Sequence, residues 1–137
     1  MKIALVRNRT IGSLIIRLVT WSRWHHGGAV TKDGKFVIES VFKNGVVKTP
    51  IAEFKARYST VDFFNIGCDD KKAFEFLNAQ IGKSYDYFAA SSLLFKLLPN
   101  HKDKWYCFEL IAAASGLFRK ERNSRVTADI LWMISHD

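Results

Sequence analysis

The sequence predicts an α+β fold in which a mainly antiparallel sheet packs against helices, as one domain over residues 1–137. Three observations predict it. Short β-branched and aromatic runs cluster in the first half of the chain, tight-turn signals separate them, and most helical periodicities follow them. Strands joined by tight turns pair antiparallel, whereas a parallel sheet needs a long crossover between strands. The 137 residues are 48% hydrophobic and 25% charged, enough apolar surface for one core and little length for a second.

The elements follow in chain order. Lys2 to Val6 reads as an opening strand. From Thr10, a possible N-cap, apolar residues recur at Ile11, Leu14, Ile15, Leu18 and Val19. That spacing predicts a helix with an apolar stripe, and Arg17 and Arg23, which fall off the stripe, are expected to face water. His26 to Thr31 and Phe36 to Phe42 read as strands around the turn Lys32-Asp33-Gly34-Lys35. Asn44-Gly45 marks a second turn, and Val46 to Thr49 a third short strand. Pro50 to Tyr58 reads as a short helix, Val61 to Ile66 as a strand, and Asp69 to Ile81 as a helix stopped by Gly82. Tyr85 to Leu98 reads as one or two buried helices, and Asn100 to Lys104 as a polar loop. Tyr106 to Gly116 is an apolar helix, Phe118 to Arg125 a basic loop, and Val126 to Ile134 a last helix with Thr127 as its cap.

Composition narrows the function classes. No apolar run reaches the ~20 residues of a membrane span. Lys2, Arg7 and Arg9 interrupt the start of the chain, which has no signal-peptide pattern, so the cytoplasm is the expected location. Cys68 and Cys107 are far apart and show no metal-ligand spacing, so two free thiols and no metal or other cofactor are expected. The net charge of +8 suits an anionic partner, although no nucleic-acid motif accompanies it.

Three blocks carry possible chemistry. Cys107 opens an apolar helix, where unpaired amides and the positive dipole end favour a thiolate. Its plainer reading is a small buried hydrophobe. His25 and His26 enter a strand, and because neighbours on a strand point to opposite faces, only one of them can face a given site. Glu39 stands alone among Val37, Ile38 and Val41, near the His26 end of the partner strand. There it either orients an imidazole or faces solvent.

The order of these blocks resembles the circularly permuted branch of the NlpC/P60 superfamily. That papain-like branch includes the YiiX/YebB-like proteins and, more distantly, the lecithin retinol acyltransferases. The resemblance runs through Trp24-His25-His26-Gly27-Gly28-Ala29-Val30, Glu39, Gly82-Lys83-Ser84-Tyr85-Asp86, Tyr106-Cys107-Phe108-Glu109-Leu110 and Val126-Thr127-Ala128-Asp129-Ile130-Leu131. It implies a permuted papain-like fold with Cys107 as nucleophile, His26 as base and Glu39 as the third polar residue. Two positions depart from the pattern. Phe108 stands where a small residue is usual, and His25-His26-Gly27 replaces Ser-His-Val, so His25 becomes the relevant ring if the register shifts by one.

The implied chemistry is acyl transfer through a thioester, ending in hydrolysis of an amide or ester, with the Cys107 backbone amide as an oxyanion donor. Tyr85 either lines the substrate pocket, with His25 as a second lining residue, or helps Asp86 pin a helix start. Glu109 reads as a buried structural acceptor. A peptide, a cell-wall peptide, a lipid-like acyl compound and a host protein all remain open as substrates. The alternatives are a non-catalytic binding module with a basic surface and a lipid acyltransferase working at a membrane through Thr10 to Arg23.

Overall fold

Continuous burial along the opening strand, β1 (Lys2–Arg7), already shows a sheet covered on both sides: Ile3, Ala4, Leu5 and Val6 are all fully buried. The computed structural model describes residues 1–20, 22–86 and 104–136. β1 is followed by α1 (Ile11–Thr20), β2 (His26–Val30), β3 (Phe36–Val41), β4 (Gly45–Pro50), α2 (Ile51–Ala56), β5 (Thr60–Ile66) and α3 (Asp70–Gln80). The short strands β6 (Ser84–Tyr85) and β7 (Lys104–Trp105) come next. Then follow α4 (Cys107–Ser115), a 3-10 helix (Lys120–Arg125), α5 (Ala128–Met133) and β8 (Ser135–His136).

Six strands form one antiparallel sheet in the order β4-β3-β2-β1-β5-β8, while β6 and β7 pair parallel beside it. The α+β expectation therefore holds, and each strand expected in the first half is present.

Two apolar layers cover the sheet. On one face Ile3, Leu5, Ala29 and Ile38 pack with Leu110 and Ile111 of α4 and with Ala73 and Leu77 of α3. On the other, Ala4, Val6, Val30 and Val37 meet Phe54 of α2. Each fully buried Leu, Ile or Phe contributes about 1.5–3 kcal/mol relative to exposure. The first layer is much the larger, and α4 is anchored in it by Leu110, Ile111 and Ala112. Gly116 closes α4 at φ 66°, a left-handed conformation that L side chains rarely adopt.

Several expectations are corrected. Phe118–Arg125 is not simply a loop, because Lys120–Arg125 winds into a 3-10 helix. Tyr85 lies in β6, and the rest of the helix expected over 85–98, with the role of Tyr85 and Asp86 at its start, falls outside the described residues, as does most of the 100–104 loop. Thr127 occupies the N-cap of α5 without a side-chain hydrogen bond. Thr10 does cap α1, accepting from the Ser13 amide at 3.4 Å, and Asp69 caps α3, accepting from the Lys72 amide at 3.2 Å. The largest departure is α1 itself, whose apolar stripe faces outward while Arg17 is half-buried.

Candidate active site

The three polar residues singled out in the sequence meet at one end of β2 and β3. His26 is the first residue of β2 and lies opposite Val6 of β1. Glu39 of β3 lies opposite Gly28, two residues along from His26 and hence on the same face. A Cβ at Gly28 would come within 2.5 Å of Val37 Cγ1 and 3.1 Å of Glu39 Cβ. Glycine there leaves room for the carboxylate to reach diagonally to the histidine. His26 Nε2 lies 2.7 Å from Glu39 Oε2.

Glu39 is fully buried, and a carboxylate so placed needs partners for both oxygens. Oε1 accepts from Thr49 Oγ1 of β4 at 2.7 Å and from Arg57, which follows the last turn of α2. Burial alone would raise the Glu39 pKa. The hydrogen bonds and charges of His26, Thr49 and Arg57 outweigh it and hold the carboxyl below its ordinary value.

Cys107 approaches from the opposite layer, since α4 packs on the other side of the sheet. Contact between the layers is possible because the sheet opens here. The β2–β3 ladder ends at Gly28↔Glu39, although β2 begins at His26 and β3 continues, paired to β4, as far as Val41. At the opening, Ser40 Oγ donates to the Trp105 carbonyl at 2.6 Å and so ties down the chain two residues before Cys107. Cys107 stands close enough to the His26 ring for its side chain to act on the imidazole and help raise its pKa. With Nε2 committed to Glu39, Nδ1 is the nitrogen left for sulfur.

Burial would lower the His26 pKa. The hydrogen bond and charge of Cys107, then those of Glu39, prevail and raise it to about 9. The arrangement therefore favours an imidazolium beside the Glu39 carboxylate. Cys107 is also the first residue of α4, and the first intrahelical hydrogen bond runs from the Leu110 amide to the Tyr106 carbonyl. The Cys107 and Phe108 amides stand before it, at the positive end of the helix.

The other expected site residues lie apart from this contact. His25 Nδ1 is 3.0 Å from Ser13 Oγ of α1. Burial, then the positive charges of His26 and Arg17, lower its pKa to about 4, so it is neutral at pH 7. Tyr85 pairs with Trp105 across β6 and β7, and its ring meets Phe42 edge-on at 6.0 Å. Glu109 is buried, in keeping with a structural role. Both cysteines are free thiols, Cys107 buried and Cys68 half-buried.

Sequence reasoning did not single out Thr49, Arg57, Ser40 or Tyr58. Tyr58 sits 5.8 Å from the His26 ring and 5.9 Å from the His25 ring, and burial, with the Glu39 charge, pushes its phenol pKa well up. The available signal was Glu39 itself, because a carboxylate in an apolar strand requires a cation and a hydroxyl from neighbouring elements. A surface cavity of about 510 Å³ lies elsewhere, lined by Lys2, Val30, Lys55 and Phe63, and does not include the three residues.

Comparison with known proteins places the chain in a family. The family model described as permuted papain-like amidase enzyme, YaeF/YiiX, C92 family, matches residues 4–126. The chain belongs to this family. Among solved structures it resembles the metalloprotein yiiX from Escherichia coli O157:H7, with a TM-score of 0.64 and 24% identity. That match covers 82% of this chain and 62% of the other, so the chain spans less than two thirds of that protein's length. At this identity the likeness speaks for the permuted papain-like fold. No curated protein matches the chain.

The metal named for the Escherichia coli protein finds no fitting donor set among the described residues. His26 Nε2 and both Glu39 oxygens already hold partners. Among the described residues, no group of three or more His, Cys, Asp or Glu side chains is disposed to hold an ion. Nor, among them, is any helix long and apolar enough to cross a membrane.

Proposed function

We propose that this member of the permuted papain-like amidase family is a cysteine hydrolase cleaving an amide or ester bond through a thioester on Cys107. The observation that carries the reading is the continuous chain from Cys107 through the His26 ring to Glu39, closed by the 2.7 Å contact between Nε2 and Oε2. Family membership supports the reaction class.

In this reading the Cys107 thiolate attacks the carbonyl carbon. The Cys107 backbone amide, which precedes the first hydrogen bond of its helix, donates to the developing oxyanion. His26, held as imidazolium, gives its proton to the leaving amine or alcohol as the carbon–heteroatom bond breaks. The neutral ring then takes a proton from water, which attacks the thioester and releases the acid, returning Cys107 to the thiolate and His26 to the imidazolium. Glu39 orients the ring and stabilises its positive charge, as the carboxylate of a hydrolase triad does.

Iodoacetamide labelling near pH ~6, below the ~8.5 of a free thiol, tests the nucleophile. Cys107 should label and Cys68 should not; preferential labelling of Cys68 overturns the assignment. A p-nitrophenyl ester tests the thioester. Intact-mass spectrometry should show one acyl group, mapped to Cys107, and its absence in a protein that still hydrolyses the ester would exclude the covalent route.

A further inference from the structure

Helix α1 is built inside out. Its stripe of Ile11, Leu14, Ile15 and Leu18 is 77%, 44%, 53% and 74% exposed. The opposite side turns Ser13, only 3% exposed, toward the body of the protein, and Arg17 beside it is half-buried. A surface helix in water has the reverse arrangement, with the apolar side against the core. Here the inward side is held by polar contacts instead: Ser13 Oγ donates to the Asn8 carbonyl at 2.9 Å and lies 3.0 Å from His25 Nδ1. Four large aliphatic side chains on one side of a short helix form a contiguous apolar surface that water alone does not explain.

The charge around this surface indicates what covers it. Lys2, Arg7, Arg9, Arg17 and Arg23 are the charged side chains before Lys32, and the first acidic residue of the chain is Asp33. Arg9 and Arg23, at the two ends of the helix, are exposed. An apolar stripe flanked by cations, with no acidic residue near it in sequence, suits an interfacial helix. Such a helix lies in the plane of a bilayer, with its aliphatic side among the acyl chains and its arginines among anionic headgroups. A second copy of the chain suits it less, because a two-fold contact places the same patch on both sides and brings these arginines toward their own counterparts.

We propose that α1 is a docking surface for an anionic lipid bilayer. The docking does not depend on the chemistry proposed for Cys107. Its place in the fold is nonetheless next to that site. Ser13 holds His25, the neighbour of His26. Asn8, just before the helix, takes the Arg57 carbonyl through Nδ2 at 3.2 Å and the Ser59 amide through Oδ1 at 2.8 Å. A bilayer seated on α1 therefore lies beside the open end of the sheet.

Co-sedimentation with vesicles tests the proposal. The wild-type chain should pellet with mixed phosphatidylcholine and phosphatidylglycerol vesicles and stay in solution with phosphatidylcholine alone, and salt should weaken the binding. The double variant Leu14→Gln, Leu18→Gln should lose roughly tenfold or more in partitioning, since it removes two buried aliphatic anchors. Arg9→Gln with Arg23→Gln should lose several-fold, and with it most of the salt dependence. Circular dichroism checks that each variant keeps its fold. If the double variant does not, Ile11→Gln, at the most exposed position, is read in its place. The proposal is overturned by wild-type protein that stays in solution with both vesicle types, by equal binding to both, or by variants that bind like wild type. A concentration-dependent dimer that Leu18→Gln abolishes, without vesicle binding, would overturn it in favour of a second copy.

Discussion

The two faces of the sheet meet at the candidate active site and are held by different forces. On the α4 face, Cys107 belongs to a large apolar layer in which Leu110, Ile111, Leu5 and Ile38 are fully buried. On the α2 face, His26 and Glu39 are placed by a short hydrogen-bonded chain that runs to Thr49 and Arg57, with a small apolar patch around Phe54 beneath it. The comparison teaches that the proposed nucleophile is positioned by packing and the proposed base by electrostatics. Close packing is non-directional and tolerates little change of volume, whereas a buried hydrogen-bonded chain fixes angles and protonation states.

Removing the reacting atom should have the largest effect. Cys107→Ser keeps nearly the same volume in the α4 layer, so the fold should survive while ester hydrolysis falls by several orders of magnitude, read as turnover of the p-nitrophenyl ester. A variant retaining substantial turnover would break the comparison, because the packed face would then not be supplying the nucleophile.

Glu39→Gln comes next. The amide oxygen can still accept from Thr49 or Arg57, but it cannot stabilise an imidazolium as a carboxylate does. Turnover should drop about 10²–10⁴-fold with near-native circular dichroism. Wild-type activity in this variant would reduce the site to Cys107 and His26. Arg57→Gln should cost less, about tenfold, because Thr49 still holds Glu39 Oε1 and Arg57 is partly exposed to solvent. Its activity loss should grow at low pH, where a carboxylate deprived of its cation protonates more readily.

The pH dependence of stability separates the two histidines with the smallest effect. The His26 pKa is raised to about 9, so its contribution is full below the ordinary imidazole value of ~6.5 and is lost as pH rises through about 9. The His25 pKa is lowered to about 4, so its contribution is full above ~6.5 and is lost as pH falls toward 4. Glu39, held below the ordinary carboxylate value, adds to the loss on the acid side. Stability from these groups should therefore peak near pH ~6.5. In thermal melts across pH, His26→Gln should flatten the alkaline limb and His25→Gln the acid limb. Exchanged effects would mean that His25 is the ring that faces Cys107.

Much of the site was legible in the sequence because its residues break local patterns. Glu39 interrupts an apolar strand, Cys107 opens an apolar helix, and strand alternation makes His25 and His26 exclusive alternatives. Their partners were not legible. Thr49 and Arg57 are ordinary residues of β4 and of the end of α2, and nothing in their own neighbourhoods marks them. Only the register that sets Glu39 between β2 and β4 brings them to its second oxygen.

Helix α1 shows the same division more sharply. Its spacing fixed a helix and an apolar stripe, and both are present. The periodicity of one segment says which residues share a side, but not whether that side meets the core or the outside. That was settled by the hydrogen bonds of Ser13 and Asn8, which turn the polar side inward. The sequence by itself therefore determined the fold class and the strands of the first half, and it marked the three polar residues as candidates, since these follow from local periodicity, local exceptions to it and the order of the blocks. The tertiary structure decided that β2 and β3 part after Gly28, that α4 reaches His26 from the opposite layer through that opening, and that α1 faces outward. Those depend on contacts between residues far apart in the chain, which no local pattern encodes.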